Sequence, residues 1–447
     1  MLCPLLAWRY AGCCLAGRCT NYLVVRAAMA MFGDIRFVNQ NLAIMSASAA
    51  TLNLPTARRA STPMALVWHG VPLYVYAVTL ASLLVIVGIL WDISWHRTIG
   101  RDAFLSAPHL LIYLGAVFGG LFSGIQVLWN SFWGSAETKA GLIKLWVVFY
   151  SSLGAMFCIW GAVAMLTSAP FDDWWHNTYG LDVTILSPPH TVLALGMVFM
   201  QVGACVSVSK YLNAELEQTP NSPKVKLLRA LFVVAAGSLL CMMATLLTEE
   251  TLPRSQRAGM YYLLITVVGM LFLPAFKKAL RLKWGACTVA AAYVAIVLLC
   301  NWILQCFPAQ PKLGPILNHV THFQPQPFPT LLFLPALIID LTMNKPSWHF
   351  AKKAALMALG FVAVLLLVQY PLSGFLLESP WSRNWFFGGY SWEYNNNPEW
   401  PGRYKFMPGE ADPLGTLAKW CGAAIGIGFL VAMASQRWGT WFTKIRR

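Results

Sequence analysis

The sequence predicts an all-α membrane protein, a polytopic bundle of about ten transmembrane helices. Of its 447 residues, 58% are hydrophobic and 11% are charged, whereas a soluble domain carries about 25% charged residues. Several uninterrupted apolar runs reach the roughly 20 residues that a helix needs to cross about 30 Å of hydrocarbon. The short alternating segments of a transmembrane β-barrel are absent from the sequence. Because backbone groups inside a bilayer must bond within the protein, the apolar runs predict helices.

The apolar runs divide the chain into ten predicted spans. They lie at about 71–91, 108–129, 145–168, 190–210, 227–247, 258–276, 285–305, 328–343, 354–373 and 414–434. The eighth is short and contains Pro335, and proline lacks the N–H that a helix interior needs. We therefore expect the eighth span to be the least regular of the ten.

Positive charge alternates along the connections between these spans. Because lysine and arginine favour the cytoplasmic side, the pattern predicts a multi-pass protein with both termini in the cytoplasm, and a bacterial inner membrane is its expected location. The connections expected to face the periplasm are 92–107, 170–188, 249–257, 306–327 and 374–413. The basic residues of the inward connections and tail are Lys139, Lys144, Lys224, Lys226, Arg229, Lys277, Lys278, Arg281, Lys283, Lys345, Lys352, Lys353, Arg437, Lys444, Arg446 and Arg447.

The net charge of +15 does not indicate a nucleic-acid partner. The basic residues cluster between apolar runs, where membrane topology places them, so the expected partner is the lipid bilayer. Eleven cysteines are present. They lie near the N-terminus or within and beside the spans, where cysteine behaves as a small apolar residue. We therefore infer no disulfide framework.

Three regions of the chain differ in composition. Residues 1–60 form a basic N-terminal extension, which is either a targeting segment or sequence upstream of the native start at Met45 or Met64. We expect residues 61–212 to form a four-span region and residues 213–447 a six-span region. The outer loop 374–413 of the six-span region is rich in aromatic residues. Such a loop suits either the headgroup level of a membrane or a lid over a site.

Two of the outward connections are copies of one motif. The first, 91–115, reads WDISWHRTIGRDAFLSAPHLLIYLG, and the second, 171–196, reads FDDWWHNTYGLDVTILSPPHTVLALG. One inserted residue before Ser187 aligns them. Each copy ends one span and enters the next, so the chain contains an internal repeat of a helix hairpin. The matched pairs are Asp92/Asp172, Trp95/Trp175, His96/His176, Gly100/Gly180, Asp102/Asp182, Ser106/Ser187, Pro108/Pro189 and His109/His190.

The spacing within each copy suits metal ligation. An Asp and a His four residues apart share one face of a helix, and the second His follows a Ser-x-Pro typical of a helix start. Each hairpin therefore gathers one carboxylate and two imidazoles, which are ligands for copper, zinc or non-haem iron. Asp102 and Asp182 are candidates to accept the imidazole N–H. The candidate ligands are Asp92, His96 and His109, the first triad, and Asp172, His176 and His190, the second triad.

A structural pairing or a proton path is the alternative interpretation of each triad, since an Asp-x3-His at a helix end is often only a hydrogen-bonded pair. The duplication favours metal binding. Placing an Asp at membrane depth has a free-energy cost of about 2.5–3.5 kcal/mol. Both copies nevertheless have an Asp at the equivalent position. The chain has eight histidines, and half of them belong to the triads.

The first triad resembles a site in the C subunit of the copper membrane monooxygenases, the particulate methane and ammonia monooxygenases. That subunit has an Asp-x3-His-x12-His arrangement, which Asp92, His96 and His109 reproduce. The Trp-His-x-Thr-Ile-x-Arg-Asp run that begins at Trp95 is also similar. The second site of the family has an Asn-x3-His-x13-His arrangement. The second triad keeps this spacing, with Asp172 in place of the Asn.

The resemblance covers roughly residues 70–212 and implies copper at both triads. It also implies a monooxygenase-like oxidoreductase acting on a small apolar substrate, with companion membrane subunits and an external electron donor. The spans after about residue 225 have no counterpart in that family, and its cupredoxin-like domain is not visible in this sequence. A metal-handling or transport protein and a non-catalytic accessory subunit of a membrane complex are the alternative functions.

Two further features lie outside the repeat. His319 and His322 have the spacing of two ligands on one helical turn and form a candidate third metal site. Asp340, at the inner end of the eighth span, is expected to be a helix-end acid that reaches water.

Overall fold

Helices account for almost all the regular structure in the described part of the chain. A computed structural model describes residues 67–100, 103–180 and 187–447. Apart from Ser187, the described residues fall within one compact unit. The N-terminal extension 1–60, Asp102 and Asp182 lie outside the described residues. The predicted roles of those two acids therefore stay predictions.

Twelve α-helices are present in the described part of the chain. They are α1 (Leu73–Thr98), α2 (Ala107–Phe132), α3 (Ala136–Ala140), α4 (Leu153–Tyr179), α5 (Pro188–Gln218), α6 (Pro223–Leu246), α7 (Thr248–Thr251), α8 (Gly259–Leu280), α9 (Gly285–Leu304), α10 (Phe333–Met343), α11 (Phe350–Glu378) and α12 (Leu414–Phe442). Two small antiparallel ribbons accompany them, β1 (Val67–Trp68) with β2 (Val71–Pro72), and β3 (Ile143–Leu145) with β4 (Phe149–Ser151). Short 3-10 turns cover Pro253–Ser255 and Pro380–Ser382.

Nine of these helices are long and apolar enough to cross a membrane. They are α1, α2, α4, α5, α6, α8, α9, α11 and α12. They confirm the predicted all-α polytopic bundle and indicate an integral, multi-pass membrane protein. Hydroxyl groups cap some of them. Ser152 accepts a hydrogen bond from Ala155 N at the start of α4, and Ser222 accepts one from Val225 N at the start of α6, which satisfies backbone donors that a helix leaves unpaired.

The eighth predicted span is part helix and part extended chain. Its helix, α10, has only 11 residues, a length of about 16 Å at 1.5 Å per residue. Pro325, Pro327 and Pro329 precede it, and each removes a helical N–H donor. The chain over residues 324–331, called here the extended segment, therefore runs without regular structure.

Polar side chains of the surrounding helices satisfy the backbone of the extended segment. Asn301 donates to the carbonyl of Gln326 and accepts from its N–H, both at 3.0 Å. Leu331 N donates to Gln369 Oε1 over 3.4 Å. Gln324 and Gln326 are each only 6% exposed. Non-helical chain is tolerated at membrane depth only where protein surrounds it, and the extended segment meets this condition.

The two ends of the bundle differ in charge. The motif end is formed by the C-terminal ends of α1 and α4 and the N-terminal ends of α2 and α5. The chain direction places the basic connections and the C-terminal tail at the other end, the basic end. There Arg281 donates to Asn213 Oδ1 and Thr443 O, which joins α8, α5 and α12. The basic residues that were predicted to lie on one side of the membrane therefore lie at one end of the bundle.

Asp340 does not reach water, contrary to the expectation from the sequence. It is 0% exposed and pairs with Lys277 Nζ at 2.9 Å. Its carboxylate also accepts hydrogen bonds from Ala286 N at 3.1 Å and Cys287 N at 2.8 Å, in the first turn of α9. A carboxylate is favourable at a helix N-terminus, so Asp340 joins α8, α9 and α10 at the basic end.

Close helix contacts hold the second hairpin. A Cβ on Gly161 of α4 would lie 2.7 Å from the carbonyl of Gly196 on α5, and a Cβ on Gly196 would lie 2.8 Å from the carbonyl of Gly161. Small residues allow membrane helices to approach in this way. The contact fixes α4 beside α5, and with it the relative position of the two parts of the second triad.

Candidate metal centres

The first triad lies at the motif end, across the hairpin of α1 and α2. Asp92 and His96 are in the last two turns of α1, and His109 is in the first turn of α2. His96 Nε2 is 3.8 Å from Asp92 Oδ2, and His109 Nε2 is 3.3 Å from Asp92 Oδ1. The side chain of Asp92 is 13% exposed, against 47% for His96. The carboxylate thus lies between two imidazoles, one of them close to the surface.

The second triad repeats this arrangement across α4 and α5. His176 Nε2 is 3.6 Å from Asp172 Oδ1, and His190 Nε2 is 3.4 Å from the same oxygen. The two imidazole centroids are 6.4 Å apart. In the first triad the imidazoles contact different carboxylate oxygens, whereas here both contact one. The structure therefore brings together the predicted members of each triad.

The carboxylate–imidazole distances within the triads match those between ligands of one metal ion. For bonds of about 2.0–2.1 Å, tetrahedral geometry places neighbouring ligand atoms about 3.3–3.4 Å apart. The four carboxylate–imidazole separations, from 3.3 to 3.8 Å, lie at or slightly above this value. Among the described residues, the second triad is the one group of three such ligands whose ligand atoms all lie within 4.8 Å of one another.

The contact between Asp92 and His109 does not have the alignment of a hydrogen bond. Asp92 Oδ1 is buried and accepts no hydrogen bond from the described residues, although His109 Nε2 lies 3.3 Å away. Two acceptor lone pairs directed at a common point would produce such a contact. The first triad therefore fits a bound cation between these atoms.

A glycine carbonyl orients one histidine of each triad. His96 Nδ1 is 3.0 Å from Gly100 O, and His176 Nδ1 is 2.9 Å from Gly180 O. Because a carbonyl only accepts, Nδ1 carries the proton and the Nε2 lone pair is left for a ligand. Sequence reasoning missed this role, although the repeat had matched the two glycines.

Both glycines have a left-handed backbone, with φ of 93° at Gly100 and 88° at Gly180. Residues with side chains rarely adopt such angles. The turn that carries each carbonyl back to the histidine therefore favours glycine, which gives the sequence match a physical reason.

The candidate third site does not have the predicted geometry. His319 and His322 are exposed and lie on a stretch without helical structure, so the helical turn that would align them is not formed. His322 Nδ1 contacts Thr321 Oγ1 at 3.0 Å. Within the described ranges neither histidine belongs to a group of three potential metal ligands.

The aromatic-rich outer loop contacts the end of α1, the helix that carries Asp92 and His96. Trp381 is 82% exposed, whereas Tyr394 is 5% exposed. Tyr394 N donates to Arg97 O over 3.3 Å, next to His96. Burial, with Glu393 beside it, raises the pKa of Tyr394, so the hydroxyl stays protonated in neutral solution. Part of the loop therefore faces outward and part covers the end of α1.

Comparison of this chain with family models, curated proteins and solved structures finds no match.

Proposed function

We propose that the chain is a multi-pass membrane metalloprotein that binds copper at both triads. The observation that supports this most is the duplicated geometry. In each hairpin one carboxylate contacts two imidazoles, and a glycine carbonyl leaves one imidazole with its Nε2 available. Imidazole and carboxylate ligands suit copper, zinc and non-haem iron, and the resemblance of the motifs to the copper membrane monooxygenases favours copper.

The same resemblance supports a reaction class. We propose the oxidation of a small apolar substrate that arrives through the bilayer, with dioxygen as oxidant and an external electron donor. Bound copper would supply the redox chemistry. The carboxylate and two imidazoles of each triad would supply three ligands to the ion and would leave a position open. Companion membrane subunits would complete the electron path.

A metal-handling role is the second candidate. The exposure of the second triad favours it, because its three side chains are 28% to 37% exposed, and an exposed site exchanges its ion readily. In this role, or as an accessory subunit, the chain would bind copper without consuming oxygen.

Metal analysis of purified protein tests the binding proposal. Wild type is expected to carry about one copper per triad, and His96→Ala and His176→Ala are each expected to lose about one. Asp173→Ala is the matched control, since Asp173 neighbours Asp172 but accepts a hydrogen bond from Asn177 at 3.3 Å. Unchanged copper in both histidine variants would refute the assignment of the triads.

Oxygen consumption separates the two candidate functions. Copper-loaded protein is supplied with a reductant and a range of small hydrocarbons in proteoliposomes. Substrate-dependent oxygen uptake that His96→Ala or His176→Ala abolishes supports the oxidoreductase. Uptake at background for every substrate, with full copper occupancy, leaves the metal-handling role.

A further inference from the structure

The end of α1 is held by chain from the six-span region. Lys312 N donates to Ile99 O over 2.9 Å. Ser94 Oγ donates to Gln324 O over 2.7 Å, and Gln324 N donates to Thr98 Oγ1 over 2.8 Å. Ser94 and Thr98 are both 0% exposed. These bonds join two parts of the sequence more than 200 residues apart and fix the last turn of α1.

Arg97 adds a charged contact to the same turn. Its Nε lies 3.2 Å from Glu393 Oε1, and one terminal nitrogen donates to the carbonyl of Pro325 at 2.5 Å. The carbonyl of Arg97 accepts from Tyr394 N. Arg97 thus ties α1 to the extended segment and to the outer loop 374–413. These contacts, with those of Ser94, Thr98 and Ile99, are called the clamp below.

Ser94 and Thr98 of the clamp lie on the side of α1 that faces away from His96. Positions two residues apart lie about 200° apart around a helix with 3.6 residues per turn, so Ser94 is turned away from Asp92 and His96. The clamp therefore orients the ligands through the helix without ligating an ion itself.

Gly100 connects the clamp to His96. Its carbonyl contacts His96 Nδ1, and a Cβ placed on it would collide with the hydroxyl of Tyr394 and would lie 2.9 Å from the Cβ of Leu313. The six-span region therefore packs directly on the residue that orients an imidazole of the first triad.

The second hairpin shows a different environment at the matching positions. Asn177 donates to Asp173, and Thr178 donates to Trp174 O, so in the described chain both bond within α4. A Cβ on Gly180 would meet none of the described residues within 4 Å. Trp174 is 52% exposed. In the described chain, these side-chain contacts of Asn177 and Thr178 thus do not involve the six-span region.

We infer that the six-span region is a positioning device for the first triad, through the clamp centred on Arg97 and Glu393, so that loss of the clamp weakens the first site and leaves the second unchanged. The part of the inference that concerns copper binding rests on the proposed function. The structural part of the inference is that the clamp keeps the C-terminal end of α1 in a fixed conformation. This part depends only on the contacts of the clamp.

Copper release from chains with one intact triad tests the metal part. His176→Ala retains the first triad and His96→Ala the second. After loading with copper(II), Glu393→Gln is expected to speed copper release to a chelator about tenfold at the first triad, the lower end of the effect of losing a residue that supports a ligand. The rate of release from the second triad is expected to stay unchanged. Glu410→Gln is the matched control. Glu410 lies in the same loop as Glu393, but its described ion pair is with Arg254, at 3.6 Å, and not with a residue of α1.

Hydrogen exchange of copper-free protein tests the structural part. Glu393→Gln is expected to accelerate exchange of the amides at 94–100, since local opening follows the loss of tertiary contacts, with no change at 174–180. Equal exchange in wild type and Glu393→Gln, or equal acceleration of both helix ends, overturns the inference. A selective effect on exchange in chains that bind no copper contradicts the proposed function and leaves the positioning role standing.

Discussion

At the scale of single residues, Gly100 and Gly180 have the same role and different neighbours. Both have a positive φ, and each carbonyl orients a histidine. Gly100 packs against Tyr394 and Leu313, whereas a Cβ on Gly180 would meet none of the described residues within 4 Å. The pair therefore separates the effect of backbone strain from the effect of packing.

Alanine at the two positions is expected to have unequal effects. Each substitution introduces backbone strain of about 1–3 kcal/mol. Gly180→Ala meets no described neighbour within 4 Å and is expected to keep most of its copper. Gly100→Ala must also displace Tyr394, and it is expected to lose the copper of the first triad. Copper content after gel filtration measures both, with thermal unfolding in detergent as the check on folding. Equal copper loss in the two variants would contradict the packing argument.

At the scale of elements, the extended segment shows how a membrane bundle accommodates chain that is not helical. Asn301 pairs with both backbone groups of Gln326, as a neighbouring strand would. Thr98 and Gln369 satisfy further N–H groups. The polar residues of α1, α9 and α11 at these positions therefore replace the hydrogen bonds that a helix would make for itself.

Asn301→Leu is expected to destabilise the protein strongly. It leaves two buried backbone groups of Gln326 without partners, at about 1–3 kcal/mol each. Asn130→Leu is the control, because the amide of Asn130 bonds only the neighbouring Gln126 side chain within the described chain, and it should cost about 1 kcal/mol or less. The free energy of unfolding in a detergent titration gives both values. A cost for Asn301→Leu no larger than that of the control would show that water or other groups replace the amide.

The sequence predicted the elements better than their long-range contacts. Apolar runs located nine helices, since span length is a local property. The repeat matched Gly100 with Gly180, and the i, i+4 spacing placed Asp92 beside His96. The clamp was not predictable from the sequence, because Arg97 and Glu393 lie far apart in the chain and come together only in the folded protein. Prolines indicated an irregular eighth span, but not that side chains of three other helices would support it.

At the scale of the whole molecule, topology depends on whether the chain from Gln324 to Met343 crosses the bundle. Gln324 bonds Ser94 and Thr98 at the motif end, and Asp340 bonds Lys277 at the basic end. This stretch therefore runs from one end to the other, although α10 alone is too short to span. We predict that, with it, the chain crosses the membrane an even number of times from α1 to α12.

The even number of crossings predicts the location of the C-terminus. Because the basic end carries the lysines and arginines of the connections, it should face the cytoplasm, and the residues after α12 should lie there too. A green fluorescent protein fused after Arg447 is expected to fluoresce, and alkaline phosphatase fused at the same place should be inactive. Alkaline phosphatase fused after Asn396, in the outer loop, should be active. A fluorescent C-terminal fusion combined with an inactive loop fusion would mean that α12 does not cross. Active phosphatase at both positions would also place the two ends of α12 on one side and so contradict the crossing, while the active loop fusion would agree with the periplasmic position of the triads.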